Sequence, residues 1–309
     1  MALSQNAVYN LYHLNVALQS PLIPGDFAMH RREMLLTAGA AVIGLSAFPL
    51  GWAAAADNKK QKILYYTKSA GFVHDEVNRK KTDGKLSRSE KLLTEWGEKS
   101  GFEVMCSQDP AIFDGDLDQF DAFAFYTSGE PLSADQKKKL LDAITAGKPF
   151  VGIHSASDTF RKPDSADIDP YIAMVGAEFS MHDAQQIAKN RVVDPKFPGM
   201  EGLGDSIELM EEWYPFTKFA KDLHVILVQE TEGMKGPHYQ RPPFPATWAH
   251  MYGKGRVFYT SMGHRQDIWT NKIFQQILLG GIAWALGNAK ADIPPNIDQV
   301  TPEANTLPK

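Results

Sequence analysis

Phe150-Val151-Gly152-Ile153-His154-Ser155-Ala156-Ser157-Asp158 is the stretch from which the fold can be read. Four residues without a charge make a short buried strand, and the chain turns polar at His154. Upstream, Ser133-Ala134-Asp135-Gln136 is a capping box, with Ser at the N-cap and Gln three residues on. The helix it opens carries Leu140, Leu141 and Ile144 on one face, exposes Lys137–Lys139 and stops at Gly147. Before it, Phe120–Tyr126 and Phe102–Cys106 read as strands. Ser87-Arg88-Ser89-Glu90 caps a second helix through Leu92, Leu93 and Trp96 to Gly101, and Ile63–Thr67 reads as the first strand. Strand and amphipathic helix in alternation specify an α/β domain with a mostly parallel sheet.

Downstream the pattern is less regular. Ile187–Val193, Ser206–Met210, Val225–Val228, Pro245–Met251 and Arg256–Ser261 read as strands. Asn271–Leu286 reads as a final apolar helix ending at Gly287. The stretch 291–309, with Pro294, Pro295, Pro302 and Pro308, is expected to lack fixed structure.

The chain has 309 residues, is 43% hydrophobic and carries a net charge of −5. That apolar content supports a full core and excludes wholesale disorder. One cysteine excludes a disulfide framework and any cysteine-based zinc or iron–sulfur centre. A pI near 6.0 argues against nucleic acid as a partner. Residues 1–56 differ from the rest. Arg31-Arg32 precede an uncharged Ala-, Gly- and Leu-rich run from Met34 that ends in Ala53-Ala54-Ala55-Ala56. This reads as an N-terminal extension with a twin-arginine export signal, and so as a periplasmic or extracellular protein without stable membrane insertion after cleavage. An uncleaved anchor is the alternative, and Met29 is an alternative start. The working domain is 57–290, with 291–309 as a tail.

In parallel α/β sheets, ligands bind beyond the carboxyl ends of the strands. Polar residues and histidines collect there: Thr67–Asp75, Thr127–Glu130, His154–Asp158, His250, and Gly263–Asp267.

Five segments together resemble the ThuA-like (trehalose utilisation) family: Thr67–Asp75, Gly152–Phe160, Glu211–Tyr214, Ala246–Arg256 and Val257–Trp269, followed by Gly280-Gly281-Ile282-Ala283-Trp284-Ala285-Leu286-Gly287. The resemblance implies a class I glutamine amidotransferase-like fold, a flavodoxin-like three-layer α/β/α sandwich. Amidotransferases carry a nucleophilic Cys in a Gly-x-Cys-x-Gly elbow. Here His154 stands at that place, and Gln266 takes the position of the Glu that follows their histidine. Glutaminase activity is therefore not expected.

His154, His264 and His74 are the candidate acid–base residues, since imidazole exchanges protons near neutral pH. Glu212, Trp213 and Tyr214 suit sugar recognition: rings stack on pyranose faces and a carboxylate accepts hydroxyl hydrogens. Trp213 could equally be core. His182 and His250 are expected to line the same pocket, and Ser155 to bond a helix start. His224 and His238 read as structural. His74, His154, His250, His264 and Glu212 could also supply ligands to a divalent metal such as zinc, although no local ligand spacing marks one. The expected partner is a small sugar or glycoside. The residues leave three readings open: chemistry on a sugar or keto-glycoside, a non-catalytic carbohydrate-binding module, or a zinc-dependent hydrolase. Oligomeric state is not legible.

Overall fold

The computed structural model describes residues 60–308, so the extension and signal read over 1–56 lie outside the described residues. Strand β1 (Gln61–Tyr66) leads into helix α1 (Arg88–Ser100) and strand β2 (Phe102–Ser107). Strand β3 (Ala122–Phe125), helix α2 (Ala134–Ala146) and strand β4 (Phe150–Ile153) repeat that unit. Both helices start where the capping boxes placed them. Gln136 N donates to Ser133 Oγ at 3.2 Å and Ser133 N to Gln136 Oε1 at 3.0 Å. In α1 the Glu90 carboxylate accepts from Ser87 N at 2.8 Å and is also held by Arg79 Nε at 2.8 Å. Such a cap contributes about 1 kcal/mol.

Helix α3 (Pro170–Val175) and strands β5 (Glu178–Phe179), β6 (Gln186–Val192), β7 (Ser206–Glu211) and β8 (Phe216–Thr217) follow. Strands β9 (His224–Gln229), β10 (Phe244–Tyr252) and β11 (Gly255–Thr260), then helices α4 (Lys272–Ala285) and α5 (Ile297–Val300), complete the chain. One nine-stranded sheet has the order β2-β1-β3-β4-β11-β10-β9-β6-β7. Its first five strands are mutually parallel, the order of a flavodoxin-like sheet with β11 as the fifth strand. The other four pair antiparallel. The expectation of a parallel sheet thus holds for the core, and the second half departs from it. A two-residue turn, Gly253-Lys254, joins β10 to β11, too short for anything but a hairpin.

The parallel strands alternate between two cores, as three layers require. Ile63, Tyr65, Ala122, Ala124, Val151 and Ile153 face Leu93, Trp96 and the α4 residues Phe274, Ile277 and Leu278. Leu64, Tyr66, Phe123, Phe125 and Phe150 face Leu140, Leu141, Ile144, Tyr171 and Ile172 of α2 and α3. Helix α4 approaches closely because Gly281 leaves room for a ring: a Cβ there would stand 2.4 Å from Phe258.

The tail corrects the expectation of an unfixed segment. Ile297 and Ala304 are buried in the second core. Burying an isoleucine contributes roughly 2 kcal/mol, about what ordering one or two residues costs. Polar anchors add the rest. Asn296 Oδ1 accepts from Val225 N at 2.6 Å, Asn305 Oδ1 accepts from Phe219 N at 3.2 Å, and the buried Arg241 donates to the Ala304 carbonyl. Proline density misled because a missing backbone donor does not prevent anchoring: the Pro294 carbonyl itself accepts from His224 Nδ1 at 2.8 Å.

Candidate active site

The β4 chain leaves the sheet at His154 in a left-handed conformation, φ +46°. For a residue with a Cβ this costs of order 1–3 kcal/mol and persists only where neighbours over-determine it. They do. The His154 carbonyl accepts from Tyr259 Oη at 2.6 Å, and Ser157 Oγ lies 2.8 Å from the same hydroxyl. Gly152 makes space for the Tyr259 ring, where a Cβ would stand 2.7 Å from Cδ2. The elbow read from the sequence is therefore present, with imidazole as its tip. Ser155 does not cap; its Oγ is buried without a partner.

His154 Nδ1 is 2.7 Å from the Ser261 carbonyl oxygen, which can only accept. Nδ1 therefore carries the proton and Nε2 presents a lone pair. Nε2 faces Glu212 Oε2 at 3.5 Å, two acceptors opposed in a buried space. His264, after β11, brings Nδ1 to 2.9 Å from the same oxygen. His74, after β1, is buried with its ring edge-on to His154 at 4.9 Å and to His264 at 5.2 Å. Its Nε2 is 3.3 Å from Tyr214 Oη, and its Nδ1 is unpartnered. One nitrogen from each of these histidines and one Glu212 oxygen all lie within 4.8 Å of one another. His182 Nε2 reaches Glu212 Oε1 at 3.4 Å.

Burial pushes the His74 imidazole down to about 2, with His154 and His264 adding repulsion. Burial also lowers His154, against the pull of Glu212. For Glu212, burial raises the carboxyl, yet His154 and His264 beside it hold it well below its ordinary value. Burial opposes charge on His264 as well, but Glu212 raises it. The directions fit together as an ionised Glu212 carboxylate that favours charge on His264, beside two imidazoles that burial keeps neutral.

A divalent cation binds neutral imidazoles and an ionised carboxylate. The buried, unpartnered His74 Nδ1 and His154 Nε2 and the Glu212-paired Nδ1 of His264 lie around one carboxylate. An N₃O donor set of this kind suits zinc or another borderline cation. The residues fit the group.

Sequence reasoning missed Glu211. It is fully buried, and burial pushes its carboxyl up to about 7. Its Oε2 accepts from Gly263 N at 2.9 Å and its Oε1 from Glu212 N at 2.8 Å. It holds two segments of the site at once. The signal was available: β7 alternates, and Glu211 shares the buried side with Ile207 and Leu209.

Two expected residues stand apart. His250 pairs with Val257, at the start of β11 rather than its end. The hairpin reverses direction, so His250 lies toward the opposite ends of the strands, where Nε2 meets the Met174 carbonyl at 2.9 Å and Nδ1 Asp222 at 3.4 Å. Trp213 is core, 1% exposed, its Nε1 donating to the Gln186 carbonyl at 3.0 Å; no sugar ring can reach it. Tyr214 does reach the site, its ring between Phe179 and His154 at 4.0 Å from each. His224 and His238 are structural, paired with Asp194 and Asp183. Cys106 is in β2, its thiol pushed up to about 12 by burial, and no thiol stands at the elbow.

A cavity of about 770 Å³ opens beside the cluster, between the loop after β1, the start of α1 and the loop after β11. Of the clustered residues, only His264 lines it. Phe72, Glu76, Arg88, Arg265 and Gln266 form much of its wall.

A model of the ThuA family, described as trehalose utilisation, matches residues 62–285. No curated protein matches the chain. Among solved structures, a protein described as ThuA-like from Bacteroides uniformis ATCC 8492 is 16% identical, with a TM-score of 0.59 over 77% of this chain and 95% of that one. A second, from Parabacteroides merdae ATCC 43184, is 16% identical, with a TM-score of 0.58 over 81% and 97%. A protein described as a GMP synthase subunit, from Thermoplasma acidophilum, is 14% identical, with a TM-score of 0.42 over 74% and 97%. At 16% identity the likeness to the two ThuA-like structures is one of fold.

Proposed function

The chain belongs to the ThuA family, and from that premise we propose that it is an enzyme of carbohydrate utilisation, acting on a glycoside or keto-glycoside at a divalent cation held by His74, His154, His264 and Glu212. One observation carries this reading: three imidazoles gathered on a single carboxylate, two of them with buried, unpartnered nitrogens. Leaving such groups unpaired costs about 1–3 kcal/mol each, a cost that a cation removes. A bound cation supplies Lewis acidity toward a sugar oxygen and lowers the pKa of water. The chain's own residues supply orientation. The Ser261 carbonyl fixes the His154 tautomer, and Glu211 sets the height of Glu212 against the Gly263 turn. His264, partly exposed, is the member of the cluster that reaches the open cavity, where it would orient a ligand.

Metal analysis of protein purified without a histidine tag tests this. The expected result is a single divalent ion per chain, lost in Glu212→Gln and His154→Ala. Metal-free protein that turns over a keto-glycoside would overturn it. That outcome would favour the reading supported by the 2.9 Å His264–Glu212 contact, proton transfer by histidine alone. We also read residues 1–56 as an export segment. Arg31→Lys with Arg32→Lys is expected to leave the protein in the cytoplasm in cell fractionation; unchanged export would sink that reading.

A further inference from the structure

We propose that Tyr126 is a positioning residue for His264: its hydroxyl, buried in the core, fixes the turn that carries that imidazole, while its ring beds the other two. The inference rests on the reading above for what the cluster does, and goes beyond it in naming the residue that sets the cluster's spacing.

Tyr126 leaves the carboxyl end of β3, and its N–H still donates to the Tyr66 carbonyl of β1 at 3.1 Å. In the sheet, β3 lies between β1 and β4, so Tyr126 is flanked by the chains that run on to His74 and His154. The side chain is fully buried. Its ring stands 5.4 Å from that of His74 and 5.7 Å from that of His154. The hydroxyl reaches past β4 to the turn after β11 and donates to the Gly263 carbonyl at 3.0 Å. One side chain thus touches all three segments that carry the imidazoles.

Packing does not ask for that hydroxyl. The Gly263 carbonyl already accepts from Trp269 Nε1 at 2.7 Å, so a phenylalanine at this place would leave no buried acceptor orphaned. What the hydroxyl adds is a second direction of restraint. A carbonyl oxygen has two lone pairs, and both are taken. Gly263 sits at φ +131°, and without a Cβ its own sterics hold the turn loosely. Hydrogen bonds must do so instead. Glu211 ties the peptide before Gly263, through its N–H at 2.9 Å. Tyr126 and Trp269 tie the peptide after it, whose nitrogen belongs to His264. Without the phenol, that peptide can swing about the single indole bond. The His264 ring, 5.2 Å from that of His74 and 5.3 Å from that of His154, then moves with it.

The test is Tyr126→Phe in the full chain, which keeps the ring and removes only the hydroxyl. Three quantities are read: the imidazole nitrogen signals in NMR, zinc affinity by titration calorimetry, and the urea midpoint of unfolding. The His264 signals are expected to shift while those of His74 and His154 stay. Zinc affinity is expected to fall by about tenfold or more, as when a group that orients a ligand is removed, with the urea midpoint little changed. Unmoved His264 signals overturn the proposal. So does wild-type zinc affinity in the variant, because a hydroxyl that serves stability alone would lower the midpoint and leave the affinity as it was. If the wild-type chain takes up no zinc, the metal reading fails, and the His264 signals alone decide this one.

Discussion

The Glu211 carboxylate accepts a hydrogen bond from the backbone N–H of Gly263 at 2.9 Å, although Glu211 ends β7 at one edge of the sheet and Gly263 follows β11, four places away in the strand order. Neighbouring strands are separated by about 4.8 Å, so the antiparallel half must curl back over the carboxyl ends of the parallel half. The same carboxylate accepts from Glu212 N. Glu211 is thus a positioning residue that sets Glu212 against His264.

Glu211→Gln should therefore disturb both stability and the site. Two N–H groups point at two oxygens, and an amide offers only one acceptor. One donor is left against an NH₂ group, at about 1–3 kcal/mol. Urea unfolding should show that loss. Metal affinity should fall by about 10–100-fold, the usual effect of removing a group that orients a ligand. Unaltered affinity would show that Glu212 holds its place without Glu211.

Gly152→Ala tests the support of the elbow. The added methyl would stand 2.7 Å from Tyr259 Cδ2, and Tyr259 is the residue whose hydroxyl holds the His154 carbonyl. Overpacking of this kind costs about 1–3 kcal/mol. Activity should drop further than stability accounts for, because displacing Tyr259 releases the strained His154. The check is kcat measured well below the variant's Tm; wild-type turnover there would show that the elbow does not depend on Tyr259.

Trp213 and Tyr214 are adjacent and should behave oppositely. Trp213→Phe removes a core indole and its bond to the Gln186 carbonyl, so Tm should fall with KM unchanged. Tyr214→Phe removes only the hydroxyl 3.3 Å from His74 Nε2, so stability should hold while kcat changes. Thermal unfolding beside steady-state kinetics separates the two; a KM effect confined to Trp213 would reverse the assignment.

How much of this was legible follows from the range of each signal. Capping boxes and short apolar runs are local, and α1, α2 and β4 lie where Ser87, Ser133 and Phe150 placed them. His154, His264 and His74 could be singled out because strand ends mark where a parallel sheet binds, and Glu212 because it stands beside Trp213 and Tyr214. His250 was misplaced by the direction of its strand. Tyr252-Gly253-Lys254-Gly255, between two apolar runs, is a hairpin signal, and reading it would have put His250 beside the turn, away from Thr260. The convergence on Glu212 was beyond reach, because it depends on the sheet's curl, which no local pattern encodes.

The tail supplies a pH prediction remote from the site. His224 bonds the Pro294 carbonyl through Nδ1 at 2.8 Å and Asp194 through Nε2 at 2.9 Å. Burial opposes charge on His224, but Asp194 and that carbonyl raise it above its ordinary 6.5. Asp194 is lowered from 3.8, chiefly by the same hydrogen bond. The raised histidine stabilises fully below pH 6.5 and loses its effect as pH rises through its folded value. The lowered aspartate stabilises above pH 3.8 and loses its effect as pH falls through its own. The pair is therefore strongest between those limits, at about 1 kcal/mol for a partly exposed contact. The Tm difference between wild type and His224→Gln should be larger at pH 5 than at pH 9. Equal differences at both would mean that the charge on His224 does not help to hold the tail.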